Sequence, residues 1–146
     1  MTPLTDTDRY RVETGHRIIV QVPAPHVDAL LDAIIQADPL GYGAYEHVSF
    51  TTAPGTQRFL STGAGRNVAT PGAVQIPCVE VSVFVAASTG ALEAVLRAIY
   101  HIHPYEEPVI VLQPAHRCLH RPGLDEENPN RFWNRPAEDW IPPAHR

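Results

Sequence analysis

The sequence predicts an α+β sandwich: a four-stranded antiparallel sheet with two helices on one face, followed by an extended C-terminal tail. Short runs rich in β-branched residues and bounded by Pro or Gly read as strands. Two longer segments carry apolar residues at spacings of three and four, the stripe of an amphipathic helix. These segments follow one another as strand, helix, strand, strand, helix, strand. Two helices layered on one face of an antiparallel sheet bury all of those stripes at once, a ferredoxin-like arrangement. Each helix makes a crossover, and crossovers are right-handed, which fixes the topology further.

Each element has its own signal. His16 to Val22 is short and β-branched, the pattern of a buried strand, and Pro23 with Pro25 ends it. His26 to Ala37 follows as a helix with its stripe at Val27, Leu30, Leu31, Ile34 and Ile35. Pro25 suits the first turn, where its missing N–H is not needed. Asp38-Pro39 marks the helix end, because a residue before Pro is pushed out of the helical region. Gly41 and Gly43 flank Tyr42 in a loop, and Tyr45 to Thr52 reads as a second strand. After the turn at Pro54-Gly55, Gln57 to Leu60 extends a hairpin. Ser61 to Ala73, with Gly63, Gly65, Pro71 and Gly72, reads as a loop. Pro77 to Val85 is the clearest strand: Val79, Val81, Val83 and Val85 alternate with Cys78, Glu80, Ser82 and Phe84, so the valine face belongs in the core. Ser88 or Thr89 is placed to cap a second helix. Its stripe is Leu92, Val95, Leu96, Ile99 and Ile102, and Pro108 to Leu112 is a last short strand after Pro104. Residues 1–14 are expected as a flexible leader, 15–114 as the domain and 115–146 as the tail.

Composition narrows the function. A chain of 146 residues, 44% hydrophobic, builds one domain with an ordinary core. There are 11 basic and 16 acidic residues, for a net charge of −5. That balance argues against nucleic acid, which demands clustered cations. Every fixed cation is Arg. No apolar run approaches the roughly 18 residues that would span a bilayer. Met1 to Glu13 is polar and lacks a signal-like apolar core, so the cytoplasm is the expected address. In that compartment Cys78 and Cys118 are expected as buried thiols rather than a disulfide.

The tail, Gln113 to Arg146, holds six prolines and no periodicity, yet carries Phe132, Trp133, Trp140 and Ile141. Disordered tails are poor in such residues. It is therefore expected to be ordered and to pack on the domain or on a neighbouring subunit.

The string that stands out for chemistry is His103-Pro104-Tyr105-Glu106-Glu107-Pro108, between the second helix and the last strand. The two prolines hold Tyr105, Glu106 and Glu107 in a fixed geometry. His103 at a helix C-terminus is expected to favour the protonated imidazole. Two readings stand side by side. In one, His103 and Glu106 satisfy backbone groups and each other at a tight junction. In the other, they ligate a metal or hold a small ligand, imidazole with carboxylate suiting zinc or copper. His116, Cys118 and His120 form a second short cluster without a second set of ligands. Gly63-Ala64-Gly65-Arg66-Asn67 has the composition of a phosphate loop but lacks the Lys-Ser/Thr and flanking elements, and reads as a flexible turn. Arg66 there is placed to touch an anionic ligand.

The hexapeptide resembles the signature of the inserted domain in the Nif-three-like, or GTP cyclohydrolase type 2-like, family. Its first four residues also resemble the junction of CutA-like proteins, linked to divalent-metal tolerance. Further matches keep their order: Val22-Pro23, then Gly41, Tyr45, Ser49 and Phe50, then Gly55, Thr56 and Phe59, then Glu80. They cover roughly residues 16–114. Gln57 stands where the family has a second Gly, and Val48 where it has a Cys. The family's dinuclear metal domain has no counterpart here, so its activity is not implied.

What the resemblance implies is a stand-alone PII-like or CutA-like module. Such modules are homotrimers that hold ligands in clefts between subunits. The implied ligand is a small molecule or a divalent ion, copper or zinc. His103, Tyr105, Glu106, Glu107, Tyr45 and Arg66 are the candidate binding or junction residues, with His103 and Glu106 the metal candidates. Two alternatives stay open: an enzyme with its site at the trimer cleft, built from His103, Glu106 and Tyr45, and a purely structural oligomerisation module.

Overall fold

In the computed structural model, which describes residues 4–146, strand β1 (Tyr10–Val22) leads through a short 3-10 turn into helix α1 (Val27–Ala37). After a loop come the short strands β2 (Phe50–Thr51) and β3 (Gly55–Phe59), then β4 (Val74–Ala86). Helix α2 (Leu92–Ile102) and β5 (Ile110–His120) complete the regular elements. The chain divides into two compact units, Glu13–Arg117 and, separately, the residues up to Val12 with Cys118–Arg146.

In the larger unit the sheet order is β2-β4-β1-β5, with β3 also paired to β4. The pairing of β1 with β4 is antiparallel and sets Ile18 against Val83, Val20 against Val81 and Val22 against Val79. Period two sends these residues to one face, where Leu30 and Ile34 of α1 and Val95 and Ile99 of α2 close over them. All are buried, the valine face of β4 included. Ile102, expected in the α2 stripe, ends the helix and stays exposed.

The observed five strands preserve the four-strand plan, because β2 and β3 are one edge strand broken by a bulge. Thr51 pairs with Val81 and Gly55 with Cys78, so the edge strand advances four positions (51 to 55) while β4 advances three (81 to 78). Thr52 spans the break: its N–H donates to the Glu80 carbonyl, and its Oγ1 accepts from the Glu80 N–H, each at 2.9 Å. Pro54 has no N–H to leave unpaired.

Several boundaries differ from expectation. Residues 1–3 lie outside the described residues, and Tyr10 to Thr14, expected in the leader, are strand. Tyr45 to Ser49 are not strand. The loop there folds back on itself, with Leu40 (φ 53°) and His47 (φ 59°) in the left-handed region. Leu40 is held there by burial and by the Asp38 side chain, which accepts its N–H at 2.7 Å. The expected Ser88 or Thr89 cap is not made: Ala91 precedes α2 with no side-chain cap, and Thr89 lies in the 3-10 turn before it, where its hydroxyl donates to Asp38 at 3.2 Å and ties this loop to the approach to α2. β5 runs through Pro114 to His120, well into the expected tail. An edge strand tolerates Pro, whose missing N–H costs no ladder bond.

The opposite face of the sheet carries a polar knot around Arg117. The Arg117 guanidinium lies over the rings of Phe84 (4.2 Å) and Tyr42 (4.9 Å) and donates to Glu13 (2.8 Å) and to the Gly41 carbonyl (2.7 Å). Gly15 lies beside it, and a Cβ there would come within 2.7 Å of the Phe84 ring.

The smaller unit has its own organisation. Asp125 ion-pairs with Arg9 (3.1 Å) and with Arg131. Partial burial opposes its ionisation, but hydrogen bonds and charge from Arg131 and Arg9 outweigh it and hold the carboxyl below its usual range. Three 3-10 turns follow in place of an extended tail. Phe132 stacks on Trp140 (5.0 Å between centroids, 10° between planes), and the Trp133 indole N–H donates to the Glu126 carbonyl at 3.0 Å. All three rings stay half-exposed.

Candidate functional site

The junction from α2 to β5 is built from the end of the helix outward. The His103 N–H still closes the last helical turn onto Ile99 at 2.9 Å, while its ψ of 136° already leaves the helix, as Pro104 requires. The side chain, 8% exposed, turns inward. Its Nε2 lies 2.7 Å from the Gln21 carbonyl, and Nδ1 accepts the Tyr105 N–H at 3.1 Å. A carbonyl only accepts, so Nε2 carries the proton and Nδ1 is bare. Both ring nitrogens are therefore engaged in one neutral tautomer.

Burial lowers the His103 pKa, with help from the charge of His26 and against the pull of the Gln21 carbonyl. This corrects the expectation of a protonated imidazole. The helix end is there, but the ring is folded under it and away from water. The Tyr105 ring packs edge-on against His103, at 4.9 Å and 60°. Its hydroxyl is buried against the Cys78 thiol without a well-formed hydrogen bond. Burial raises both groups above their ordinary values, so Cys78 stays a thiol and is a poor nucleophile. Cys118, expected buried, is exposed, and neither cysteine is in a disulfide.

Glu106 does something else. Its carboxylate reaches across to the loop after β3 and accepts from the Arg66 N–H, the Asn67 N–H (3.3 Å) and the Asn67 side-chain amide (3.0 Å). Gly65 makes room for it: a Cβ there would come 2.9 Å from the carboxyl carbon. The loop base is closed by Thr70 and Ser61, through Thr70 N–H to the Ser61 carbonyl and Ser61 N–H to Thr70 Oγ1, both at 3.1 Å. Residues 63–67, expected as a flexible turn, are thus pinned by a carboxylate from the hexapeptide.

The other candidates stand apart from this pair. Arg66 contributes its backbone N–H, and its exposed guanidinium has no ion-pair partner among the described residues. Glu107 is exposed. Tyr45 is 73% exposed and pairs its backbone with Tyr42. His116, Cys118 and His120 alternate along β5. Among the described residues no three His, Cys, Asp or Glu side chains gather into a metal-binding group. Asn67 is the residue that sequence reasoning missed. An Asn following two glycines and an Arg in a polar loop is the only signal it gives.

No protein-family model matches the chain. Over 133 residues it is 33% identical to a Mycobacterium tuberculosis protein named GTP cyclohydrolase 1 type 2 homolog, covering 86% of this chain and 35% of that protein. A Mycobacterium leprae protein of the same name is 37% identical over 91 residues, 62% of this chain and 23% of that one. In fold the chain is similar to a Bacillus cereus protein related to NIF3, with a TM-score of 0.59 at 24% identity over 73% of this chain and 27% of that one. It is also similar to CutA from Synechococcus elongatus, with a TM-score of 0.53 at 17% identity over 76% and 88%. The chain spans between 23% and 35% of the length of the curated relatives it matches. Among the described residues no helix is long and apolar enough to cross a membrane.

Proposed function

Since the chain belongs with the Nif-three-like proteins, through the part of them that shares the CutA-like fold, we propose that it is a non-enzymatic binding module: a homotrimer that holds a small ligand in the clefts between its subunits. The observation that carries this reading is the state of the two sheet edges. One edge, β2 with β3, exposes Phe50 (68%) and Phe59; the other, β5, exposes Val111 and Leu112. Both edges are open in a single chain and both carry apolar side chains, a combination that favours association. Joining one edge to the other edge of the next copy is a head-to-tail contact, which closes into a ring when the rotation between copies permits. The trimer is the ring that the family resemblance implies.

The geometry at the junction favours a small organic or inorganic ligand over copper or zinc at His103 and Glu106. An ion at His103 has to displace either the Gln21 carbonyl or the Tyr105 N–H, and an ion at Glu106 has to compete with three donors for its carboxylate.

Native mass spectrometry with metal analysis tests the proposal. Three copies of a 16.1 kDa chain with additional non-protein mass are expected. A monomer at micromolar concentration by light scattering would overturn it.

A further inference from the structure

Three donors of one loop converge on a single exposed carboxylate of the same chain. The Arg66 and Asn67 N–H groups point the same way, the Asn67 side-chain amide joins them, and Gly65 leaves the space that the carboxylate fills. Successive backbone N–H groups arranged in this manner form a concavity that attracts anions. Here the occupant is part of the protein. Glu106 is exposed, so leaving the concavity costs it no buried charge, and water can solvate it once it swings out. The Arg66 guanidinium, without an ion-pair partner among the described residues, stands on the same loop.

We propose that residues 65–67 form an oxyanion site, and that Glu106 is its internal occupant. An external carboxylate or phosphate binds by displacing Glu106, which regulates access to the site. This deepens the small-ligand reading above and rests on it: it names the ligand class and the group that competes with it. Displacement also releases the loop from the α2–β5 junction, so ligand binding is read out as loss of the Glu106 tether.

The test is titration of 15N-labelled protein with inorganic phosphate and, separately, with acetate, following the Arg66 and Asn67 amide signals. In Glu106→Ala, saturable shifts of both amides are expected, with about three- to fivefold tighter binding than in the unaltered protein. Glu106→Gln keeps the loop tethered through its one oxygen and covers the case in which Glu106→Ala loosens the loop; it is expected to bind between the two. Adding Gly65→Ala to Glu106→Ala places a methyl where the anion sits and should abolish the shifts. Phosphate binding more tightly than acetate assigns the site to phosphate groups, and the reverse assigns it to carboxylates. The absence of saturable shifts in both Glu106 variants, while they remain folded by circular dichroism, overturns the proposal. Equal affinity with and without Glu106 overturns it as well. Sedimentation of the same samples reads subunit number, so failure of the trimer and failure of the anion site are seen separately.

Discussion

His103 spends both ring nitrogens on backbone groups at 8% exposure, whereas Glu106, three positions later, lies in solvent and spends its carboxylate on a loop 40 positions earlier in the chain. Both residues belong to one hexapeptide, both are polar, and both act on backbone donors or acceptors. They differ in what water can replace. Removing His103 strands the Gln21 carbonyl and the Tyr105 N–H where water has little access. Removing Glu106 leaves three donors that water can satisfy. The motif thus divides into a structural half, His103 with Tyr105, and a displaceable half, Glu106. A single stretch of sequence can hold a fold together and keep a site adjustable, provided that burial changes within one helical turn's length.

The sharpest way to break this division is to delete each side chain. His103→Ala should cost about 2–4 kcal/mol, from two broken hydrogen bonds and an unfilled space beneath α2. Glu106→Ala should cost less than about 1 kcal/mol, as expected for an exposed polar group. Urea unfolding measures both. Equal losses would mean that the two halves share one role.

Acidity probes the same division through one proton. The folded His103 has its pKa below the ordinary 6.5, the direction that burial dictates. Between the two values the unfolded chain holds a proton that the folded chain lacks, so stability rises with pH there. His103 therefore contributes its full share above about pH 6.5, and that share is lost as pH falls through the window below. The slope for one proton is at most about 1.4 kcal/mol per pH unit. In His103→Gln that slope should flatten. An unchanged profile would mean that other groups carry the acid response.

These residues also mark where sequence reasoning reached and where it stopped. The valine face of β4 and the stripes of α1 and α2 were legible because burial there follows a period, two or 3.6, that the sequence displays directly. The hexapeptide was legible as a junction because two prolines and a helix end constrain it locally. Its division of labour was not. Glu106 binds backbone N–H groups, which every residue has, so no side-chain pattern near Gly65 announces the contact. The protonation of His103 was misjudged because position along a helix is visible in sequence while the inward turn of a ring is not. Leu40 is a related case: a lone apolar residue in a Gly-rich loop gives no periodic signal, yet it is fully buried with a positive φ. The reach of β5 past Pro114 was hidden because only the sheet order shows that this strand lies at an edge.

A smaller effect sharpens the displaceable half. Glu106→Gln keeps one acceptor oxygen and so keeps part of the tether. Global stability should move by less than about 1 kcal/mol. Amide exchange at Arg66 and Asn67 should quicken about three- to tenfold, because the loop opens locally without unfolding the domain. Hydrogen exchange followed by NMR decides it. Unchanged protection at these two amides would show that Ser61 and Thr70 at the loop base hold the loop unaided.

The smallest expected effect belongs to Glu107, and it isolates geometry from charge. Glu106 and Glu107 are adjacent, identical in type and both exposed, but only Glu106 is aimed at the loop. If the contribution of Glu106 came from negative charge near the loop, neutralising Glu107 would weaken the loop to a similar degree, since a charge one residue away lies well within a Debye length of about 10 Å. If it comes from hydrogen bonds to three donors, which fail beyond about 3.5 Å, Glu107 is irrelevant to the loop. Glu107→Gln should accordingly leave stability within about 0.5 kcal/mol and leave the Arg66 and Asn67 exchange rates unchanged. A rise in exchange matching that of Glu106→Gln would replace the hydrogen-bonded tether with a diffuse electrostatic one. A change in subunit number instead, with exchange unaltered, would place Glu107 at the edge-to-edge contact and give the displaceable half of the motif a neighbour in the assembly.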